Sequence, residues 1–368
     1  MNNKKTIILM THKGLQEKNG TSVYLKNMVS VLSQDFNVIV PSESFFEKKI
    51  GKTNKWISKV IGINVFLSLW VLKNLGKDKS SGKIIVMEDR YILIPSIMLA
   101  LLSSGKLITL VSDWGLKYIF SLPVHKLLKY LLSFYSVFFH LLVIKLSTSI
   151  ITMSVTDKIK ISHSFGKPIF VIPYLMPNLD THVDLNSREA NVLFENNEIR
   201  AIFVGDCFYP PNMKSVEFLI KEIAPKLYLI DKGVRIIIAG RGTAVFQRNV
   251  TKNVTVLGEV ESLLPIYNRC HIGINPSKTI GGTSSKNIEY LASGLVVVAT
   301  RESTLGVIQT NRLIISELED FAEIIASEAR KLRASHRDSI YEEETKRIKE
   351  FYSLDENRDL IVKFVNSI

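Results

Sequence analysis

A lysine and a glutamate three positions apart follow a short glycine-rich run in the C-terminal half of the chain. Residues 281–294 read GGTSSKNIEYLASG and include Lys286 and Glu289. Apolar segments at 272–275 and 295–299 flank the run. A strand, a glycine loop and a helix in this order hold phosphate, because glycines let the backbone approach the anion and N–H groups at the helix start point at it. Lys286 adds positive charge and Glu289 can accept hydrogen bonds from sugar hydroxyls. The segment therefore predicts a nucleotide site.

The pattern by itself also fits a simpler structure. It is neither G-x-G-x-x-G nor a Walker loop, because Gly-Lys-Ser/Thr is absent. A strand-to-helix turn capped by serine, with a surface Lys–Glu pair, explains the same letters. The surrounding elements must decide between the two interpretations.

Apolar segments of strand length alternate with helical segments twice along the chain. This β-α alternation predicts two parallel sheets covered on both faces, the doubly wound Rossmann-like α/β class. The alternation breaks after Pro173, where we place the linker, giving domains at 1–175 and 176–350. The predicted strands are 5–10, 36–40, 83–87, 106–111, 149–154 and 168–172, then 201–204, 235–239, 253–257, 271–275 and 295–299.

Ligands of such sheets bind at the loops that follow the strands. In the second half, Gly205, Gly240 and Gly258 each come directly after a predicted strand, and residues 276–282 follow another. One such glycine is an ordinary turn, whereas several on one sheet edge indicate a binding surface facing a cleft between the domains.

Positive charge is concentrated in the first half of the chain. Residues 1–175 carry 23 Lys and Arg against 9 Asp and Glu, whereas the remainder carries 24 against 26. The asymmetry predicts either an anionic partner or simply a basic, well-solvated surface. We find no nucleic-acid-binding module, so no nucleic acid partner is expected.

Three apolar stretches, 57–75, 91–102 and 130–144, lie in the same basic half. None reaches the roughly 20 apolar residues that a spanning helix needs. They fit core helices, contact with an anionic membrane face, or both. The apolar run 7–10 is too short for a signal sequence. Cys207 and Cys270 are far apart without metal spacing, which indicates a reducing compartment and no metal site.

Four motifs in the second half resemble the nucleotide-binding half of group 1 (family 4) glycosyltransferases, which have the GT-B fold. The motifs are residues 203–205 with 211–212 and 224–227, then 238–242, then 256–260 with Leu264, Tyr267 and Cys270, then 274–276 with 282–286 and 289–294. The N-terminal half is similar only loosely, at Gly20 and at residues 171–173. The resemblance also implies that a last helix, 351–368, crosses back to the first domain.

The resemblance implies roles for individual residues. The loop of Gly281, Gly282, Thr283, Ser284 and Ser285 would cradle the diphosphate of a nucleotide sugar. Lys286 would neutralise the leaving phosphate and Glu289 would bind the ribose. The remaining donor-side residues would be Gly205, Gly240, Arg241 as a second positive charge, and Gly258, Glu259 and Val260 at the base. Asp113 follows a predicted strand of the first domain and is either a cap or turn residue or a catalytic residue facing the cleft. On the acceptor side, His12 is either a loop histidine or a sugar or phosphate contact, and Gly20 stands where the family places a glycine loop.

Two positions depart from the family pattern. Many members carry a glutamate eight positions before the one that aligns with Glu289, and Gly281 stands there instead. Asp206 stands where many members have arginine, and Lys214 lies farther from the glycine than the usual basic residue. Sugar recognition would then rest on backbone N–H groups or on the first domain.

The expected activity is transfer of a sugar, with retention, from a nucleotide diphosphate sugar to a glycan or polyprenyl-diphosphate-linked acceptor in surface polysaccharide synthesis. No metal or other cofactor is expected. The enzyme would lie in the cytoplasm, peripheral at the inner face of the cell membrane. A catalytically inactive GT-B partner subunit or scaffold is the alternative, and an epimerase or phosphorylase of similar fold has no motif in its favour.

Overall fold

The computed structural model describes residues 5–11, 15, 20–41, 83–87, 93–111, 119–120, 125–176, 198–248, 250–278, 282–334 and 339–368. The chain divides into two compact units. The first comprises residues 1–116, 126–177 and 352–368, and the second comprises 117–125 and 178–351.

The first unit is built on a six-stranded sheet in which every described pair is parallel. Its strands are β1 (Thr6–Met10), β2 (Asn37–Ile39), β3 (Lys83–Met87), β4 (Lys106–Val111), β5 (Ser149–Thr152) and β6 (Ile169–Val171), in the order β2-β1-β3-β4-β5-β6. Its helices before the linker are α1 (Gly20–Asp35), α2 (Leu93–Leu102), α3 (Lys126–Leu146) and α4 (Val155–Phe165).

Helices α2, α3 and α4 cover the same face of this sheet, as right-handed crossovers from β3 through β6 require. Leu99 of α2 and Val143 of α3 pack on Ile85 and other buried strand residues. The next residue of α3, Ile144, packs with Ile161 of α4. Helix α3 is therefore an integral layer of the first unit.

The second unit holds another six-stranded sheet with parallel pairing between all described neighbours. Its strands are β7 (Ile199–Val204), β8 (Val234–Ala239), β9 (Val254–Gly258), β10 (Ile272–Asn275), β11 (Val296–Ala299) and β12 (Leu313–Ile315). Its helices are α5 (Pro210–Phe218), α6 (Ala224–Ile230), α7 (Leu264–Tyr267), α8 (Ser285–Ala292), α9 (Phe321–Ala334) and α10 (Ser339–Tyr352).

The strand order of the second sheet is β12-β11-β10-β7-β8-β9. Strands β8 and β9 therefore follow β7 toward one edge of the sheet, and β11 and β12 follow β10 toward the other edge. The crevice between the carboxyl ends of β7 and β10 is the topological switch point, where open parallel sheets bind ligands.

A last helix, α11 (Leu354–Ser367), belongs to the first unit. It packs on the sheet face opposite α2–α4, with the Phe364 and Phe170 ring centroids 4.5 Å apart. Arg358 of α11 forms an ion pair with Asp35 at the end of α1, at 3.0 Å. Where the chain leaves and re-enters this unit, the N–H of Met176 donates to the carbonyl of Tyr352 at 2.8 Å.

The predicted fold class, two doubly wound parallel sheets with a returning C-terminal helix, is confirmed. Two local features differ from the sequence prediction. Strand β12 is present although the sequence does not predict it. The helix predicted over 212–230 contains a π-helical turn at Leu219–Ile223. Pro225, just after that turn, lacks an N–H and would clash with a carbonyl one turn earlier, and the wider turn accommodates it. The apolar stretch 57–75 lies outside the described residues.

Candidate functional site

The loops that follow β7, β8, β9 and β10 all lie at one edge of the second sheet, because parallel strands end together. Gly205 and Asp206 follow β7, Gly240 and Arg241 follow β8, Gly258, Glu259 and Val260 stand at the end of β9, and Gly282, Thr283 and Ser284 lead into α8. The described residues that the sequence predicts on the donor side therefore lie on one edge of the second sheet. The same edge contains the switch point between β7 and β10.

Lys286, in the first turn of α8, reaches across the switch point to the loop after β7. Its Nζ donates a hydrogen bond to Oδ1 of Asn212 at 2.9 Å and lies 4.4 Å from the ring centroid of Phe203. Burial lowers the pKa of Lys286 to about 8, while the nearby Glu289 carboxylate and Cys207 act to raise it. The ammonium is therefore at the crevice rather than directed to bulk solvent.

Glu289 lies one helical turn after Lys286 and is held by an aromatic pair. The hydroxyl of Tyr267 donates to Oε2 of Glu289 at 3.0 Å. The Tyr267 ring meets that of Tyr290 edge-on, with centroids 5.5 Å apart. The Tyr290 hydroxyl in turn accepts from the N–H of Val204 at 2.8 Å, at the end of β7. Two hydrogen bonds and one ring contact thus connect the Glu289 carboxylate to the end of β7.

A buried amide network supports the start of α8. Nδ2 of Asn275 donates to Oγ of Ser284 at 3.1 Å and to Oδ1 of Asn287 at 2.9 Å. Nδ2 of Asn287 donates to the carbonyl of Ser303 at 2.8 Å. Ser284 occupies the N-cap position but its hydroxyl makes no capping bond to the helix. The first N–H groups of α8 therefore have no side-chain cap among the described residues, which suits an anion.

Three buried polar atoms near this loop have no hydrogen-bond partner within the described part of the chain. They are Oδ1 of Asn275, Oγ of Ser277 and Oγ1 of Thr283. Buried polar groups are nearly always paired in folded proteins. All three residues belong to the segment that runs from the end of β10 to the start of α8.

Arg241 is engaged by Asp206 at the rim of the site. The two side chains form an ion pair, and the guanidinium lies 5.4 Å from the ring centroid of Phe208. The arginine proposed from sequence as a second phosphate contact thus already has a carboxylate partner. A bound phosphate would have to compete with Asp206 for it.

Close packing explains two of the loop glycines. A Cβ on Gly240 would lie 2.3 Å from the carbonyl oxygen of Gly205, and Gly240 has φ +128°. A Cβ on Gly205 would lie 2.9 Å from Cγ of Asn212. Both glycines bring neighbouring loops together, whether or not they also contact a ligand.

The other sequence candidates are placed as follows. Gly20 is the first residue of α1 in the first unit, and Lys214 is exposed on α5. Asp113, His12 and Gly281 lie outside the described residues.

Two residues of the site have no predicted role. Asn212 and Tyr267 belong to the sequence motifs of the resemblance, and the structure shows that they are the hydrogen-bond partners of Lys286 and Glu289. Their polar side chains beside loop and helix ends were the available signal.

Among the described residues, no group of three or more His, Cys, Asp and Glu side chains has the arrangement to hold a metal ion. The arrangement at the switch point can instead hold an anion with one ammonium and backbone N–H groups. A carboxylate stands one turn away to accept hydroxyl hydrogen bonds.

The sequence of residues 198–332 matches the family described as Glycosyl transferases group 1. No curated protein sequence matches the chain significantly. Among solved structures, sucrose-phosphate synthase from Thermosynechococcus elongatus superposes with a TM-score of 0.68 at 12% identity, covering 99% of both chains. HepE of Anabaena, in complex with UDP and glucose, gives 0.68 at 12% identity, covering 99% of this chain and 100% of its own. A glycosyltransferase from Rickettsia africae gives 0.61 at 12% identity, covering 99% and 98%.

Proposed function

We propose that this chain is a glycosyltransferase that transfers a sugar from a nucleoside diphosphate sugar to a hydroxyl of a glycan or lipid-linked glycan, since residues 198–332 match the group 1 glycosyltransferase family. One observation carries the proposal. The Lys286 ammonium lies at the switch point of the second sheet, beside the uncapped start of α8.

In the proposed reaction the bond between the anomeric carbon and the diphosphate oxygen breaks, the oxygen of the acceptor hydroxyl bonds to that carbon, and the hydroxyl proton passes to the departing diphosphate. The nucleoside diphosphate leaves as an anion, so stabilising its growing charge is the main task of the site. Lys286 and the first N–H groups of α8 supply positive charge there. The Glu289 carboxylate, oriented by Tyr267, accepts hydrogen bonds from the ribose. Retention at the anomeric carbon is proposed from the family resemblance.

The donor is proposed to be a nucleotide sugar, and a uridine diphosphate sugar is the first to test. HepE, which shares the fold, was solved with UDP and glucose and also with UDP-glucose. Because Gly281 stands where many members carry a glutamate, the transferred sugar would be recognised by backbone groups of the loop or by the first unit.

The acceptor is proposed to be lipid-linked through a diphosphate, in the synthesis of a surface polysaccharide. The support is the excess of basic side chains in residues 1–175, 23 against 9 acidic, which favours an anionic partner. The same excess supports a peripheral position on the inner face of the cell membrane.

The test compares two lysine variants of the same unit. Lys286→Ala is expected to lower kcat/KM with a verified donor by about 10- to 100-fold, the effect of removing a charged hydrogen-bond donor. Lys226→Ala removes an exposed lysine of α6 and should leave kcat/KM unchanged. Unchanged turnover in Lys286→Ala would remove the proposal.

Calorimetry with nucleoside diphosphates separates an enzyme from an inactive partner subunit. The pairing of Arg241 with Asp206 is the observation that favours the latter. A chain that had lost the donor site would give no binding heat with UDP, GDP or ADP. Binding of one of them, lost in Lys286→Ala, is the expected result.

A further inference from the structure

Helix α3 carries an apolar stripe on its solvent side. Five residues spaced three or four apart, and so on one helical face, make up this α3 stripe. They are Leu127, Leu131, Phe134, Phe138 and Leu141, with exposed fractions of 64%, 58%, 74%, 53% and 40%. A helix of a water-soluble unit ordinarily turns its apolar face to the core and its polar face outward.

The inward side of the same helix holds polar groups. Ser136 and His140 are buried, and the His140 ring nitrogen Nδ1 shares a hydrogen bond at 2.9 Å with the carbonyl of Ser136. Val143 and Ile144, near the helix end, anchor α3 in the core. The distribution of side chains around α3 is thus partly reversed, and large apolar groups face outward.

The neighbouring helices of this layer extend the apolar character. Leu101 and Leu102 at the end of α2 are 76% and 59% exposed, and Val155 and Ile159 of α4 are 62% and 54% exposed. Exposed large apolar side chains therefore occur on all three helices of this layer, and an exposed apolar surface of several such residues marks an interaction site.

Charge indicates which partner fits the α3 stripe. Helix α3 contains Lys126, Lys129 and Lys145 and has no Asp or Glu along its length. Apolar side chains flanked by lysines match an anionic lipid surface, with the rings among acyl chains and the ammonium groups at the headgroups. A second copy of the chain docked stripe to stripe would bring lysines against lysines, which is unfavourable.

Among the described helices, α3 alone is long and apolar enough to cross a bilayer by length and composition. Its place in the fold argues against spanning. It connects parallel neighbours β4 and β5 and contributes Val143 and Ile144 to the core. Withdrawing α3 into a membrane would open that core, so contact in the plane of the interface is the geometry compatible with the folded unit.

We propose that the α3 stripe is the surface through which the first unit docks onto an anionic bilayer, with Phe134 and Phe138 inserted and Lys126 and Lys145 at the headgroups. The inference deepens the proposed membrane location and rests on the proposed function only in that a lipid-linked acceptor must be met at a membrane. It does not depend on the donor site in the second unit.

The test is flotation of the full-length protein with vesicles of phosphatidylcholine, alone or mixed with phosphatidylglycerol. The unmodified protein should float with the mixed vesicles, and the double variant Phe134→Glu/Phe138→Glu should bind at least about tenfold more weakly. Leu229→Glu is the matched control, because Leu229 is 83% exposed on α6 of the second unit. It should bind like the unmodified protein.

The electrostatic part is tested separately. Lys126→Gln and Lys145→Gln should each weaken binding to the mixed vesicles by about fivefold, with the effect shrinking as salt rises. Neither change should alter thermal unfolding, since both lysines are exposed.

Two outcomes would overturn the proposal. One is equal flotation of the unmodified protein and the Phe134→Glu/Phe138→Glu variant. The other is a stable dimer, detected by light scattering, that the double variant dissolves, because the occupant would then be a second copy. Binding of UDP, measured in parallel, reports on the donor site, so failure of either proposal is recognised independently.

Discussion

Lys286 combines a positive charge with a partly buried position, and these have opposite effects on its protonation. Burial lowers its pKa to about 8, well below the ordinary 10.5, and the Glu289 carboxylate and Cys207 act against that shift. The hydrogen bond to Asn212 holds the ammonium toward the crevice at 2.9 Å. The residue is therefore charged near neutral pH, yet close enough to its pKa for pH to control it.

This position predicts the pH dependence of donor binding. An anion binds the charged form, so the affinity for UDP should fall as pH rises through about 8, by up to about tenfold for each further unit. Lys286→Arg keeps its charge in this range and should show a flatter profile, even if its affinity is lower throughout. Isothermal titration at pH values on both sides of the pKa provides the measurement, and identical profiles would contradict the assignment.

At the scale of elements, the loops that follow β7, β8 and β9 contact one another at their glycines. Gly240 lies between β8 and the 3₁₀ turn at Thr243–Phe246, and its N–H donates to the carbonyl of Gly258 at 2.7 Å. The edge that forms the candidate site therefore depends on the absence of side chains at specific backbone positions.

Gly240→Ala should destabilise the second unit by more than about 2 kcal/mol. The new Cβ would meet the Gly205 carbonyl oxygen at 2.3 Å while φ remains positive. Gly166→Ala is the matched control, because Gly166 also has positive φ, at +59°, but has no atom within 4 Å of the added Cβ. It should cost only about 1 kcal/mol. Urea unfolding of both variants gives the comparison, and equal losses would show that loop packing contributes nothing.

At the scale of the whole molecule, the first unit is built from segments that lie on both sides of the second unit in the sequence. Helix α11 covers the face of the first sheet opposite α2–α4 and meets α1 through the Arg358–Asp35 pair. Helix α11 can therefore join the first unit only after the second unit has been synthesised.

Phe364→Ala tests this dependence. Phe364 is buried against Phe170, so its loss should cost the first unit about 3–5 kcal/mol. Leu360→Ala changes a 43% exposed residue of the same helix and should cost at most about 0.5 kcal/mol. Thermal unfolding with and without UDP separates the units, because UDP would stabilise only the second. The prediction would be contradicted if Phe364→Ala lowered only the unfolding temperature of the transition that UDP stabilises, since that transition belongs to the second unit.

The sequence by itself determined the fold class and the location of the Lys286 loop between β10 and α8, for physical reasons that operate locally. Alternating apolar segments specify parallel strands and covering helices, and glycine followed by a helix start specifies a backbone open to an anion. The roles assigned from resemblance to Glu289, Arg241 and the residues after β9 stay predictions.

Only the tertiary structure decided what those side chains touch. Asn212 and Lys286 are 74 positions apart, and Asp206 and Arg241 are 35 apart, and both pairs meet because β7 is central in the sheet. The outward-facing α3 stripe was equally hidden, since helical periodicity gives a helix its faces but not the one that a sheet will cover. Contacts of this kind depend on strand order and crossover direction, which pair distant residues that no local pattern connects.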